Sequence, residues 1–210
     1  GPMGELAVAQ GRRMNPHLHY SRDTSAEGQF DPSMPWFGRV APLLTSLPPC
    51  TVALDIGCNS GGLGRLLSEQ GCYVIGIDLA LHFLPLALKK GYVGAIQADA
   101  QALPFRDGSF PVVILSEILE HVPDAERCVA EAARVLMPHG WLLGDVPHPL
   151  GKWGYRSIRG HKWHKTVWSR RSLHRLLSRR FVVETISCRF GAWRSGFVLP
   201  QWYGFKAVKP

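Results

Sequence analysis

Three carboxylates in the first half of the chain interrupt or close apolar runs. Asp55 lies inside the run Val52 to Ile56, Asp78 ends Tyr73-Val74-Ile75-Gly76-Ile77, and Asp99 ends Val93-Gly94-Ala95-Ile96-Gln97-Ala98. Between the first two acids comes a glycine turn, Gly57-Cys58-Asn59-Ser60-Gly61-Gly62, and then Leu63-Gly64-Arg65-Leu66-Leu67 takes up helical spacing. That order reads as buried strand, tight turn and helix start. Glycine in such a turn permits positive φ and lets the backbone approach a ligand closely. Asp78 falls 21 residues after Gly57, at the end of a second strand, where a βαβ nucleotide site holds ribose hydroxyls. From Gly57 the chain reads G-C-N-S-G-G. The second glycine of the G-x-G-x-x-G pattern is missing, so no pyrophosphate cradle is expected.

These acids must be positioned by an alternation of short apolar runs and amphipathic helices. The first helix is expected over 63–70, stopped by Gly71, and the second strand over 72–77. A helix over 81–90 ends at Gly91, and a third strand runs to Ala98. A fourth strand is expected over 110–115. Asp124 is placed to cap a helix over 125–137, which Pro138-His139-Gly140 ends before a fifth strand over 141–146. Ser169 precedes a helix with Leu173, Leu176 and Leu177 inward and arginines outward, and further strands are expected over 181–186 and 197–208. The pattern predicts an α/β fold, a doubly wound and mainly parallel sheet with helices on both faces. Ligands bind such sheets outside the carboxyl ends of the strands, and all the acids named above fall there.

The stretch around Asp55 resembles the first motif of class I S-adenosylmethionine-dependent methyltransferases, an acid followed by G-x-G-x-G. Asp55, Gly57 and Gly61 match, while Asn59 stands in place of the middle glycine. Asn is the non-glycine residue most at ease in left-handed backbone geometry. The resemblance continues through Gly76-Ile77-Asp78-Leu79, Ala98-Asp99-Ala100-Gln101-Ala102-Leu103-Pro104-Phe105 and Ser116-Glu117-Ile118-Leu119-Glu120-His121-Val122, covering roughly residues 50 to 190, and is nearest the "methyltransferase type 11" group. It implies a Rossmann-like sheet of seven strands, the last antiparallel, and S-adenosylmethionine as cofactor. It also implies that Gly57, Cys58, Asn59 and Gly61 contact its methionine part through the backbone, with Asp55 below them. Asp78 with Leu79 would hold the ribose hydroxyls, and Asp99 with Ala100 the adenine edge. Ser116 and Glu117 would border cofactor and substrate, with a helix-capping role open for Glu117.

Methyl transfer needs an in-line approach to an activated methyl, with a base only where the nucleophile must lose a proton. His121 and His148 are the candidate bases. Residues 147–168 are expected to form a lid-like insertion with Trp153, His161, Trp163 and His164 toward the substrate. His161 and His164 have no third ligand placed by the sequence, so no metal is expected.

The composition bounds the rest. With 210 residues and 46% hydrophobic content, one domain over 34–210 is expected, preceded by a flexible arm over 1–33. Gly1-Pro2 ahead of Met3 reads as a tag remnant. The five scattered cysteines lack a C-x-x-C pair, which points to reduced thiols and a cytoplasmic location. Neither a signal pattern nor a membrane span is expected. The net charge is +8, yet residues 151–210 hold 14 lysines and arginines against Glu184 alone, with five of the seven tryptophans. That asymmetry suits an anionic partner. Three readings stay open: methylation of an oxygen or nitrogen on a small or medium metabolite, methylation of RNA through the basic C-terminal third, and a non-catalytic cofactor-binding protein. Oligomeric state is not legible.

Overall fold

In the computed structural model, the described residues are 43–44, 47–49, 51–151, 164–192 and 198–210. Among them the apolar runs pair into one seven-stranded sheet. Its strands are Val52–Ile56 (β1), Tyr73–Asp78 (β2), Tyr92–Gln97 (β3), Phe110–Ser116 (β4), Leu136–Pro147 (β5), Val182–Ala192 (β6) and Val198–Val208 (β7), in the order β3-β2-β1-β4-β5-β7-β6. Strands β1 to β5 pair in parallel. Strand β7 inserts between β5 and β6 and is antiparallel to both, as expected. The helices are Gly64–Glu69 (α1), Leu84–Lys89 (α2, entered through a 3-10 turn at Leu81–Phe83), Ala125–Val135 (α3) and Arg170–Leu177 (α4).

Alternation along the strands sorts side chains into two cores. Ala53, Val74, Val112, Ile114 and Leu143 meet Leu63, Leu67, Leu84 and Ala87 on one face. Their chain neighbours Leu54, Ile75, Val113, Leu115 and Leu142 meet Val129, Ala132, Leu173 and Leu177 on the other. A strand buried on both faces must be apolar throughout, which is why these runs show no polar alternation. Each such aliphatic side chain contributes roughly 1.5–3 kcal/mol by its burial. Leu44, helical and fully buried, joins the α1 and α2 side.

Local signals act where the sequence places them. The Asp124 carboxylate accepts the Arg127 N–H at 2.9 Å and caps α3. Ser169 and Ser172 form a capping box at the start of α4. One boundary differs markedly: residues 138–140 are not a loop, because β5 begins at Leu136 and α3 stops at Val135. The C-terminal segment supplies the partners. The His139 N–H donates to the Lys209 carbonyl at 2.9 Å, the Lys209 N–H to the Gly140 carbonyl at 3.1 Å, and Lys209 Nζ to the Leu136 carbonyl at 2.6 Å. Strand β6 likewise runs six residues past its expected end at 186, because β7 pairs with it throughout. The expected arm over 1–33 and residues 152–163 of the expected lid lie outside the described residues.

The winding reverses between β1 and β4. Strands β2 and β3 follow on one side of β1, and β4 and β5 on the other. A crevice opens at the carboxyl ends there. Asp55, Asp78, Asp99 and Glu117 lie at that edge.

Candidate active site

A cavity of about 400 Å³ occupies the crevice, lined by the glycine turn, the ends of β2 and β4, the segment after β3 and the turn after β4. Its size suits a small organic ligand. Among the described residues, four carboxylates line it, those of Asp55, Asp78, Asp99 and Glu117, against a single lysine, Lys90. Cys58, Asn59, Leu79, Ala100, Ser116 and His121 line it as well, together with Ser60, Gln101, Ile118 and Val122, which have no signal in the sequence of their own.

The glycine turn spends five of its donors on itself and on the end of β2. The Gly57 and Cys58 N–H groups both donate to the Ile77 carbonyl at 2.8 and 2.9 Å, and the Gly61 N–H donates to the Cys58 carbonyl at 2.9 Å. The Asn59 N–H donates to Asp78 Oδ2 at 2.9 Å, and the Ser60 N–H to Asn59 Oδ1 at 2.5 Å. With these five donors engaged, carbonyls and carboxylates dominate what the turn presents. It suits a cationic ligand group and disfavours a phosphate, which needs donors. These five N–H groups hold the turn, so backbone contacts to a ligand from Gly57, Cys58 and Asn59, which line the cavity, would come from their carbonyls. Asn59 does take the left-handed conformation, at φ 48°.

Gly61 moves from ligand contact to packing. A Cβ there would stand 2.5 Å from the Ala87 Cα in α2 and 3.1 Å from the Tyr92 ring, and Gly61 does not line the cavity. Cys58 contributes only surface, since burial first, and then Asp55 and Asp78, push its thiol far above the usual range.

Asp55 lies beneath the turn, 3% exposed, and accepts the Tyr92 hydroxyl at 2.5 Å. Burial, opposed by that bond and helped by Asp78, raises its carboxyl to about 7. Tyr92 opens β3, far from Asp55 in sequence, and only the pairing of β2 with β3 brings them together. Asp78 accepts the Asn59 N–H and, through Oδ1, the Ala80 N–H at 2.8 Å. Both oxygens keep lone pairs for two further donors, the requirement for a ribose diol. Its pKa is also raised, chiefly by burial. Asp99 Oδ1 accepts the backbone N–H and side-chain amide of Gln101. That loop is clamped to α3: the Leu103 N–H donates to Glu131, and Arg134 donates to Glu131, Asp107 and the carbonyls of Leu103 and Phe105.

On the β4 side, Ser116 Oγ donates to the fully buried Asp145 at 2.7 Å. Glu117 has a left-handed backbone, φ 50°, and its carboxylate accepts Trp202 Nε1 from β7 at 2.9 Å. It caps no helix, since Asp124 does that for α3. The cap reading is set aside. His121 lines the cavity. His148 does not: its Nδ1 accepts the Leu150 N–H at 3.1 Å, its ring packs on Tyr203, and burial lowers its pKa. A neutral imidazole whose acceptor nitrogen is already used cannot serve as the base, so the geometry removes His148 from the candidates. His164 is brought beside Glu120 and His121, while Trp153, His161 and Trp163 lie outside the described residues. The basic C-terminal charge is partly consumed within the fold. Arg179 and Arg180 pair with Glu126, and Lys206 pairs with Glu184 and lies over the Trp141 ring.

A mainly parallel sheet with an antiparallel β7 and an acceptor-lined crevice at the β1/β4 reversal define the class I S-adenosylmethionine-dependent methyltransferases. Residues 54–144 match the methyltransferase domain model Methyltransf_11, which identifies that stretch as a methyltransferase domain. It is 34% identical over 96 residues to the ubiquinone biosynthesis O-methyltransferase of Bordetella avium, covering 43% of this chain and 40% of that protein. It is 34% identical over 134 residues to the demethylmenaquinone methyltransferase of Thermus thermophilus, covering 60% of each. The chain thus spans between two fifths and three fifths of these curated relatives. An S-adenosylmethionine dependent methyltransferase from Mesorhizobium loti shares the fold with TM-score 0.68 and 20% identity, over 83% of this chain and 100% of that one. The cofactor is S-adenosylmethionine, and the residues fit it. The acceptors that line the cavity suit its sulfonium and ammonium charges, and Asp78 has the two carboxylate oxygens that a ribose diol would need. Among the described residues no helix is long and apolar enough to cross a membrane.

The raised Asp55 pKa couples cofactor binding to protons. Folded Asp55 titrates near 7 and the unfolded carboxyl near 3.8, so between those values the folded state holds the extra proton. Its contribution to stability therefore declines as pH rises through that window. A cationic ligand favours the ionised carboxylate and expels the proton. Affinity for S-adenosylmethionine is expected to rise from pH 5.5 to 8, by up to about tenfold per pH unit for this group. Calorimetry at pH 6 in buffers of different ionisation heat should show proton release, diminished in Asp55→Asn.

Proposed function

We propose that the protein transfers the methyl group of S-adenosylmethionine to a hydroxyl oxygen of a small molecule. The observation that carries this reading is the acceptor-lined cavity, in which Asp55, Asp78 and Asp99 mark a cofactor side and Glu117 and His121 a second side beyond β4. The oxygen is suggested by the name of the Bordetella relatives, O-methyltransferases. The bound cofactor supplies a methyl already activated by its positive sulfur. The chain's own work is then positioning, exclusion of water and help with one proton. Asp78 and Asp99 fix the nucleoside. The β4 end aligns the acceptor with the methyl, with Glu117 held in place by Trp202. In the transfer a carbon–oxygen bond would replace the carbon–sulfur bond, whose electron pair would return to sulfur. The hydroxyl proton leaves by way of His121, the one imidazole among the described residues that line the cavity.

The first test is calorimetric titration with S-adenosylmethionine, its demethylated product and NAD. Binding of the two sulfur nucleosides and silence of NAD are expected. Incubation with methyl-labelled cofactor and either a metabolite extract or total RNA then separates acceptors. Label in small molecules is the expected result. Label confined to RNA, falling steeply with added salt, would move the reading to the basic C-terminal third.

A further inference from the structure

The turn after β4 places Glu120 and His121 side by side, and the chain returns 43 residues later with His164. The return is pinned by backbone bonds: the Lys165 N–H donates to the Glu120 carbonyl at 2.7 Å and the Thr166 N–H to the same oxygen at 3.3 Å. The Ile118 carbonyl in turn accepts the His121 and Val122 N–H groups, which fixes the turn. One carboxylate oxygen and one nitrogen from each imidazole lie within 4.8 Å of one another, with His121 Nε2 3.9 Å from Glu120 Oε1. The two imidazoles meet edge to face at 4.8 Å between centroids. Glu120 is 2% exposed, while both histidines are half-buried.

We propose that Glu120, His121 and His164 bind one divalent first-row transition ion at the substrate side of the cavity. Two imidazoles and one carboxylate are a donor set for zinc, manganese or iron, whereas magnesium and calcium prefer oxygen alone. Side-chain rotations bring ligand atoms from this spacing to the ~2.0–2.2 Å metal distances that such donors adopt. Three protein ligands leave coordination positions open, and His121 lines the cavity, so those positions face the acceptor.

The role of the ion rests on the methyl-transfer reading, but its binding does not. Ligation of the acceptor hydroxyl lowers its pKa, and the proton passes to solvent. The metal-held oxygen then supplies the electron pair for the new carbon–oxygen bond, and the pair of the broken carbon–sulfur bond goes to sulfur. His121 thereby acts as a ligand in place of a base. The substrate class follows: a hydroxyl with a neighbouring oxygen able to chelate, as in a catechol or a hydroxy acid.

The test is calorimetry of the full chain, stripped with chelator, against zinc chloride, manganese chloride and magnesium chloride. S-adenosylmethionine is titrated into the same samples. One zinc or manganese per chain is expected, with magnesium much weaker. His164→Ala should weaken the transition ion at least about tenfold while leaving cofactor affinity unchanged. Because Glu120→Gln alters a buried group and can fail to fold, the half-buried His164 carries the decision, and His121→Ala supports it with the same loss. Absence of stoichiometric binding, or binding undiminished in His164→Ala, overturns the site. Metal binding that depends on His164 in a protein that does not bind S-adenosylmethionine supports the site and overturns only the methyl-transfer reading.

Discussion

Asp78→Asn is expected to cost S-adenosylmethionine at least about a hundredfold in affinity. The carboxylate offers two oxygens, each with a lone pair free beyond the Asn59 and Ala80 bonds. Hydrogen bonds to a charged acceptor are worth about 1.5–3 kcal/mol each, so losing one and weakening another gives about 3 kcal/mol or more. The amide presents a donor where the ribose also presents donors, so the loss is one of complementarity and not only of charge. Calorimetric titration reads the affinity, and a thermal melt of the same sample checks the fold. Unchanged affinity would mean that the ribose is held elsewhere.

Gly61→Ala should lower stability by about 2–4 kcal/mol, which combines the strain of a left-handed non-glycine residue with overpacking. The backbone there has φ +83°, and the new methyl would stand 2.5 Å from the Ala87 Cα, a backbone atom that can yield only if all of α2 moves. For a chain of this size the melting temperature is expected to fall by about 5–15 °C. Gly108→Ala is the control. Its φ is +61°, and nothing lies within 4 Å of the added methyl, so only backbone strain acts. A melting point as little changed in Gly61→Ala as in the control would show that α2 accommodates the methyl. Cofactor affinity should fall less than stability, because the glycine shapes the turn from behind.

The acids and the turn that line the cavity were legible in the sequence. Asp55, Asp78, Asp99 and the glycine turn stand close along the chain to the strands that carry them. A strand end in a parallel sheet has one functional edge, so sequence order maps directly onto that edge. The Asp124 cap and the helix start at Ser169 were legible for the same reason, since each acts within one helical turn, while the reciprocal bond of Ser172 showed only in the structure. Wherever a partner came from a distant strand, the sequence was silent. Tyr92 meets Asp55, Trp202 meets Glu117, and Lys209 turns residues 138–140 from loop into strand, all through sheet pairing that no local pattern encodes.

The sequence alone determined the alternation of buried strands and helices and the row of acids at their ends, because burial periodicity and turn chemistry are local. Only the tertiary structure decided how those residues are used. It spent five N–H groups of the turn on the Ile77 and Cys58 carbonyls, the Asp78 carboxylate and the Asn59 amide, turned Gly61 toward α2, and tied up the acceptor nitrogen of His148. It also brought His164 to Glu120 and His121, where the sequence offered histidines without a third ligand. Contacts across so many residues depend on loop closure and sheet order, and these are properties of the folded chain as a whole.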